Sequence, residues 1–254
     1  MIIKNFLSKL HFNYYTLIII FIYLITGLIK EISAVLLLII FHEFGHYILS
    51  YIYKWNVDKI VIYPFGGIIY FDDLIDKPLK EELLITLSGP LNQLLIFIIY
   101  YYLFKYNIVS EHFFLIIKNY NFYILLFNLI PIIPLDGSKI LNIIFNKIFC
   151  FKKSYYLLII ISIIETLVLI YFIKDNYSYY IMIITLVTSI YLNYKNRNYI
   201  FNRFILEKYL YNNNYKKYHK INNINKMKRN RKHIFIYKNN QYTEKDFIKK
   251  IKGV

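Results

Sequence analysis

The sequence is very poor in cysteine. Its one cysteine, Cys150, excludes a disulfide within the chain and any metal site built from several cysteines. A small-residue cleavage site is also missing after the first apolar block. We therefore expect that block to remain as a membrane span rather than to be removed as a signal peptide.

Acidic residues are scarce as well, with 15 Asp and Glu against 31 Lys and Arg. Residues 195–254 hold 17 of these basic residues and only three acidic ones, which gives this tail a net charge of +14. A basic segment can bind nucleic acid, an anionic membrane surface or acidic partners. Because the tail follows an apolar block and has no RNA-binding motif, we expect the lipid bilayer and not nucleic acid as its partner.

Hydrophobic residues, in contrast, make up 58% of the chain and give it a mean hydropathy of +0.42. Soluble domains have about 45–50% apolar residues, and the excess here is concentrated in blocks, as in membrane proteins. The sequence therefore predicts an all-α membrane protein with six transmembrane helices. The predicted spans cover residues 14–28, 33–53, 83–104, 113–130, 155–173 and 177–192.

Lysines in the short loops predict the orientation of these spans. With both termini in the cytoplasm, the loops on that side hold ten lysines and the opposite loops hold four, including Lys174, before the tail is counted. Basic residues prefer the cytoplasmic side. We expect a multi-pass protein of the cell membrane with a membrane domain at 1–194 and a basic cytoplasmic tail at 195–254.

The tail is predicted to be partly helical, with an amphipathic surface helix over 197–218 and a short strand over 232–237. It has too few apolar residues for a second globular domain with its own core.

Residues 57–71 depart from the pattern of a simple span. The segment V-D-K-I-V-I-Y-P-F-G-G-I-I-Y-F is rich in β-branched and aromatic residues around a P-F-G-G turn, which predicts a β-hairpin. Free strand edges are not tolerated in lipid, so the hairpin should pack against protein or lie at the membrane interface.

The motif H-E-F-G-H at 42–46 lies inside the second predicted span. On a helix, His42 and His46 project about 40° apart and one turn apart along the axis, so both imidazoles can bind one zinc ion. Glu43 is offset by about 100°, where it can act as a general base toward water activated by the zinc. Charged and polar residues inside a span are retained mainly for binding or reaction. A proton relay in a metal-binding transporter would explain them too.

Zinc hydrolases use three protein ligands and leave a position for water. No third histidine stands near the motif, and Asp136 is the best candidate because it follows two prolines in the apolar segment P-I-I-P-L-D-G. The alternative is that Asp136 caps the helix that begins after it, and one residue could serve both roles.

Three motifs occur in the order of the site-2 protease family of intramembrane zinc metalloproteases, which this sequence resembles. They are H-E-F-G-H at 42–46, S-G-P-L-N at 88–92 and N-L-I-P-I-I-P-L-D-G at 128–137. The likeness is greatest to the stage IV sporulation branch, which also has the Lys-Trp pair and the P-F-G-G turn found here at 54–55 and 64–67.

The resemblance implies that His42, His46 and Asp136 bind Zn²⁺ and that Glu43 is the catalytic base. It further implies that Asn128, Phe65 and Pro134 contact the substrate. The substrate would be a membrane-associated protein such as a pro-sigma or an anti-sigma factor, and an inhibitory membrane partner is part of the same expectation. The tail is too short for the CBS domain common in the sporulation branch, and no PDZ domain is expected.

Overall fold

The computed structural model describes residues 2–173, 180–211, 215, 218–237 and 240–252, without the side chains of residues 173, 251 and 252. The helices of these residues are α1 (Ile2–Ser8), α2 (Tyr14–Ile25), α3 (Ile29–Ile52), α4 (Leu79–Lys105), α5 (Glu111–Leu129), α6 (Asp136–Ile148), α7 (Phe151–Ile173), α8 (Tyr180–Leu210) and α9 (Glu244–Lys252). The strands are β1 (Leu10–Phe12), β2 (Val57–Tyr63), β3 (Gly66–Phe71), β4 (Tyr218–Ile221), β5 (Lys232–Tyr237) and β6 (Asn240–Tyr242).

The protein is mainly helical, as predicted, but it is not all-α. Each group of three strands forms a small sheet, in the order β1-β2-β3 and β4-β5-β6. The predicted hairpin is present: β2 and β3 pair antiparallel from Val57 opposite Phe71 to Tyr63 opposite Gly66. Strand β1 adds to it in parallel, with Leu10 opposite Ile60, and three residues are too few to show the alternation that reveals a strand in a sequence.

Three helices of the described residues are long and apolar enough to cross a membrane, namely α3, α4 and α7 from Phe151 to Phe172. Helices α2, α5 and α8 fall short of that standard in length or hydropathy, so the six-span arrangement stays a prediction. The sixth predicted span begins at residues 177–179, which lie outside the described residues, as does Lys174.

The outer faces of the helices carry large apolar side chains. More than half of the surface of each of these residues is exposed: Phe21, Leu95, Tyr123, Leu167 and Tyr191. A surface of this kind is poorly solvated by water and well solvated by lipid. It supports the placement of the helices in a membrane.

Two apolar clusters fix the helices around the hairpin. In the first, Leu38 and Ile39 of α3 pack with Ile60 and Ile62 of β2 and with Ile117 of α5, and all five are at most 1% exposed. In the second, the hairpin tip packs against the chain before α6 and against α7 and α8; its buried members are Phe65, Ile132, Ile133, Leu135, Leu158, Ile159, Leu186 and Ile190. The buried side chains of the hairpin therefore pack against protein, which is one of the two placements that the cost of strand edges in lipid allows.

The tail is more structured than its composition suggests. Helix α8 passes without a break through residue 194, where the domain boundary was placed, and the division into two domains stays a prediction. Buried apolar side chains from α7, α8, the second sheet and α9 form one cluster: Phe151, Phe204, Ile205, Ile221, Ile224, Met227, Phe235, Phe247 and Ile248. Phe151 of α7 lies outside the tail, so the tail shares this cluster with the rest of the chain, and the expectation that it forms no separate globular domain stays a prediction.

Two local predictions for the tail can also be compared with the structure. The predicted strand over 232–237 is β5. The predicted helix over 197–218 is present only as far as Leu210, and its predicted end is wrong because Tyr218 begins β4; residues 212–214, 216 and 217 lie outside the described part. Phe204, Glu207 and Lys208 on this helix are buried, so one of its faces packs against protein.

Candidate metal centre

Helices α3 and α6 bring two imidazoles and one carboxylate together. His42 and His46 lie one turn apart on α3 and are 1% and 3% exposed, and Asp136, the first residue of α6, is 4% exposed. Oδ2 of Asp136 is 2.9 Å from Nε2 of each histidine, and the two Nε2 atoms are 3.1 Å apart. The two histidines thus converge as their helical spacing predicts, and Asp136 meets them from another helix.

Helix α4 fixes the orientation of the His46 ring through a hydrogen bond from Nδ1. Its Nδ1 lies 2.6 Å from the backbone carbonyl oxygen of Ile85. A carbonyl oxygen only accepts hydrogen bonds, so Nδ1 carries the proton and Nε2 presents a lone pair. Gly89 lies one turn further along α4, and a Cβ at this position would collide with Nε2 of His46 and lie 2.7 Å from Nε2 of His42.

Asp136 is held so that one carboxylate oxygen points at the histidines. Its other oxygen, Oδ1, accepts a hydrogen bond of 2.9 Å from Nζ of Lys139, one turn later on α6. Gly137 packs so closely on the carbonyl of Leu129 that a side chain has no room there. The interpretation of Asp136 as a helix cap is wrong: Leu135 is the N-cap residue, and no side chain caps this helix.

Glu43 lies beside the three residues and under the hairpin. It is 2% exposed, and a Cβ on Gly67 of β3 would collide with its carboxyl group, with Oε1 only 2.6 Å away. The hairpin therefore covers Glu43 through a glycine whose missing side chain leaves room for the carboxylate.

Asn128, near the end of α5, faces the same hairpin. It is 3% exposed, and its Nδ2 has no hydrogen-bond partner. A Cβ on Gly66 would lie 3.1 Å from its Oδ1. An unpaired buried donor is uncommon, because leaving one unsatisfied costs about 1–3 kcal/mol, and such groups occur where a ligand is bound.

Phe65 and Pro134 lie near this region but in apolar packing. The ring of Phe65 is 8% exposed, stacks on Tyr63 at 5.7 Å and meets Phe127 edge-on at 5.6 Å. Pro134 follows a cis peptide bond, two residues before Asp136. Their assignment to substrate contact stays a prediction.

The donor set at the centre fits a zinc ion. Zinc binds imidazole nitrogen and carboxylate oxygen at about 2.0–2.2 Å, and the three donor atoms lie close enough together for one ion to contact all of them. Each histidine also places its Nδ1 against an oxygen atom. Zinc-binding histidines usually donate a hydrogen bond from their second ring nitrogen to an oxygen of this kind. Three protein donors leave a position for water, as in catalytic rather than structural zinc sites.

Several residues at the centre were not predicted from the sequence. Gly89 stands in the S-G-P-L-N motif without a stated role, yet it leaves the space that both imidazoles occupy. Gln93, Lys139 and Gly67 were assigned no role. A signal existed for Gln93, because an amide in the apolar run of α4 is costly unless it is bonded.

Fold and site together define a helical membrane protein with a buried metal-binding centre. A sequence model of peptidase family M50 matches residues 30–111. Stage IV sporulation protein FB of Bacillus subtilis is 32% identical over 209 residues, which are 81% of this chain and 73% of that protein. The chain therefore belongs to peptidase family M50, and the resemblance seen in the sequence is confirmed.

Two further matches come from Methanocaldococcus jannaschii, one to a protein sequence and one to a solved structure. A zinc metalloprotease of Methanocaldococcus jannaschii is 33% identical over 125 residues, which are 46% of this chain and 34% of that protein. The solved structure of a site-2 protease from Methanocaldococcus jannaschii has a TM-score of 0.56 and 21% identity, over 74% of this chain and 89% of that chain. The second comparison shows that the two proteins share a fold.

Proposed function

We propose that this protein is an intramembrane zinc metalloendopeptidase in which His42, His46 and Asp136 hold the zinc and Glu43 is the general base. The observation that carries the proposal is the convergence of three buried donor atoms within 3.1 Å of one another. Family membership and the named metalloprotease relative support the same activity.

The chemistry follows from the positions of the side chains. When bound, zinc supplies a Lewis acid that polarises the scissile carbonyl and lowers the pKa of water. Glu43 adjoins His42 in the chain and is held under Gly67, so its carboxylate can take a proton from the attacking water and pass it to the leaving amine. The buried, apolar surroundings strengthen these electrostatic interactions.

Asn128 is proposed to bind the substrate backbone. Its unpaired Nδ2 can donate a hydrogen bond to a carbonyl oxygen of an extended segment, and its side chain lies beside Gly66 of the hairpin. A preorganised donor of this kind also stabilises an oxyanion. Phe65 and Pro134 are proposed to shape the same region, since both belong to segments that pack around the hairpin tip.

The test is Glu43→Gln. This variant is expected to bind zinc as the wild type does, because Glu43 is not a ligand, and to lose cleavage of a membrane-tethered substrate. Zinc content of the purified protein and cleavage in co-expressing cells are the measurements. Cleavage at the wild-type rate by this variant would rule out Glu43 as the base.

A metal-binding transporter is the second candidate that the sequence left open, and membership of a peptidase family does not favour it. A transporter has no need for a carboxylate directly after the first histidine. Zinc-dependent uptake into sealed vesicles, with no peptide bond cleaved, is the result that would support it.

The substrate is proposed to be a membrane-associated protein of the pro-sigma or anti-sigma type. The supporting observation is the 32% identity to a sporulation protein. Both termini are proposed to be cytoplasmic, which places the site toward that side. Mass spectrometry of membranes from cells that express the wild type or Glu43→Gln should show the substrate accumulating only with the variant. If no membrane protein accumulates, this substrate class is wrong.

A further inference from the structure

Gln93 is a buried amide in the middle of helix α4, among apolar residues of a predicted span. It is 0% exposed. Its side chain touches two other helices: Oε1 lies 2.9 Å from Nδ1 of His42 on α3, and Nε2 lies 3.0 Å from the backbone oxygen of Asn121 on α5. Both ends of the amide are therefore bonded, which offsets the cost of placing it in an apolar helix.

The backbone oxygen of Asn121 determines which way the amide of Gln93 points. A carbonyl oxygen has no proton, so the group facing it must be the donating NH₂ of Gln93. The opposite orientation would place two oxygens against each other. The end of the amide that faces His42 is consequently the oxygen, which only accepts.

The orientation of Gln93 in turn determines where His42 carries its proton. Because Oε1 of Gln93 accepts, Nδ1 of His42 donates and bears the hydrogen. In the neutral ring, Nε2 is then a free lone pair, and it points at Oδ2 of Asp136. The hydrogen bonds thus run in one direction, from His42 to Gln93 and from Gln93 to Asn121.

The second histidine reaches the same tautomer by another route. His46 donates from Nδ1 to the backbone oxygen of Ile85, which no side-chain substitution removes. Of the two imidazoles, His42 is the one whose tautomer depends on a side chain.

We propose that Gln93 is a positioning residue for metal binding. It holds His42 with Nδ1 protonated and Nε2 directed at the metal position before the ion arrives. The proposal rests on the proposed zinc site, but it concerns the ring of His42 and not the catalytic step. If this proposal is correct, the affinity for zinc depends on the hydrogen-bond acceptor at position 93 more than on the shape of the side chain there.

The experiment compares Gln93→Met with Gln93→Glu in the full-length protein in detergent micelles. Methionine is of similar length but offers only a weakly accepting sulfur, whereas a protonated glutamate retains an oxygen that accepts from Nδ1 of His42 and a hydroxyl that donates to the backbone oxygen of Asn121. Removal of an outer-shell partner typically weakens metal binding by about 10–100-fold. We expect a loss of this size for Gln93→Met in chelator competition with Zn²⁺, and a much smaller change for Gln93→Glu, because the acceptor is preserved.

Ser50→Ala is the matched control. Ser50 is also a fully buried polar residue and lies on the same helix as His42, but its hydroxyl bonds the backbone oxygen of His46 at 2.7 Å and not a ring. This variant should bind zinc like the wild type. Zinc binding by Gln93→Met at wild-type affinity, or an equal loss in both Gln93 variants, would overturn the proposal.

A second measurement does not depend on the variants folding. In metal-free wild-type protein with ¹⁵N-labelled histidine, NMR should show the proton of His42 on Nδ1. A neutral ring with its proton on Nε2 alone would refute the proposal. If Glu43→Gln cleaves at the wild-type rate while the proton of His42 is found on Nδ1, the proposed function is contradicted and the assignment of Gln93 still holds.

Discussion

The ammonium of Lys208 lies 2.6 Å from the carboxylate of Asp76, and both side chains are nearly fully buried, at 3% and 1% exposed. Lys208 is on the tail end of α8, and Asp76 is in the linking loop, residues 72–78, between β3 and α4. This loop joins the strand that covers Glu43 to the helix that orients His46. The basic tail is therefore in contact with the connection between the two elements that shape the metal centre.

Substitution Lys208→Met should destabilise the protein. Removal of one partner of a buried ion pair leaves an uncompensated charge and costs about 3–5 kcal/mol, although Asp76 also accepts a hydrogen bond from the backbone of Asn230. The free energy of unfolding in detergent micelles measures the effect. The double variant Lys208→Met with Asp76→Asn should regain most of the loss, because the buried site is then neutral. A double variant as unstable as the single one would contradict this account.

Arg229→Met should weaken zinc binding and reduce cleavage. Arg229 is 5% exposed and pairs with Glu82 in the first turn of α4 at 2.7 Å, one turn before Ile85, whose carbonyl bonds His46. We expect at least about a tenfold lower cleavage rate, the lower end of the range for loss of a supporting contact. The exposed Lys226 in the same segment supplies the control, and Lys226→Met should cleave normally. Equal cleavage by Arg229→Met and the wild type would show that this ion pair does not support the site.

Gly89→Ala should abolish stoichiometric zinc binding. The new Cβ would collide with the ring of His46 and crowd that of His42, and α4 cannot move away without losing the hydrogen bond that Nδ1 of His46 donates to the backbone oxygen of Ile85. Metal analysis of the purified protein is the measurement. A full complement of zinc in this variant would show that the two helices separate more easily than their packing indicates.

Gly67→Ala should lose cleavage but, unlike Gly89→Ala, should still bind zinc. Its Cβ would collide with the carboxyl group of Glu43, which is proposed as the base and not as a metal ligand. The neighbouring Gly66→Ala is the matched control, because its nearest atom is Oδ1 of Asn128 at 3.1 Å and a shift of a few tenths of an ångström relieves the contact. Cleavage should therefore fall much further in Gly67→Ala than in Gly66→Ala. Equal losses would mean that the hairpin as a whole, not the contact with Glu43, is disturbed.

Asn128→Leu should lower cleavage without lowering stability. The buried Nδ2 of Asn128 has no partner to lose, and leucine has a similar size and no unpaired donor. If the amide stabilises an oxyanion, kcat should fall by about 10²–10³. The melting temperature and the cleavage rate of one purified preparation test both parts. A lower melting temperature at unchanged kcat would assign Asn128 a structural role.

Local patterns in the sequence predicted the parts of the site that depend on neighbours in the chain. A spacing of four residues on a helix places His42 and His46 on one face, and an aspartate after two prolines marks the start of α6. The hairpin was equally predictable, because P-F-G-G turn chemistry and β-branched flanks act within a few residues. Strand β1 and the core of the tail were not predictable, since each depends on a partner far away in the chain.

The amino-acid sequence by itself determined which residues are proposed as metal ligands and as general base, because helix periodicity and donor chemistry are local properties. Only the tertiary structure decided how these groups are held. Gln93 bonds His42 from another helix, Gly67 covers Glu43 from a strand, and Lys208 reaches the linking loop from the tail. Each of these contacts joins residues distant in sequence, and their pairing follows from the packing of the helices and the hairpin rather than from any pattern within a single segment.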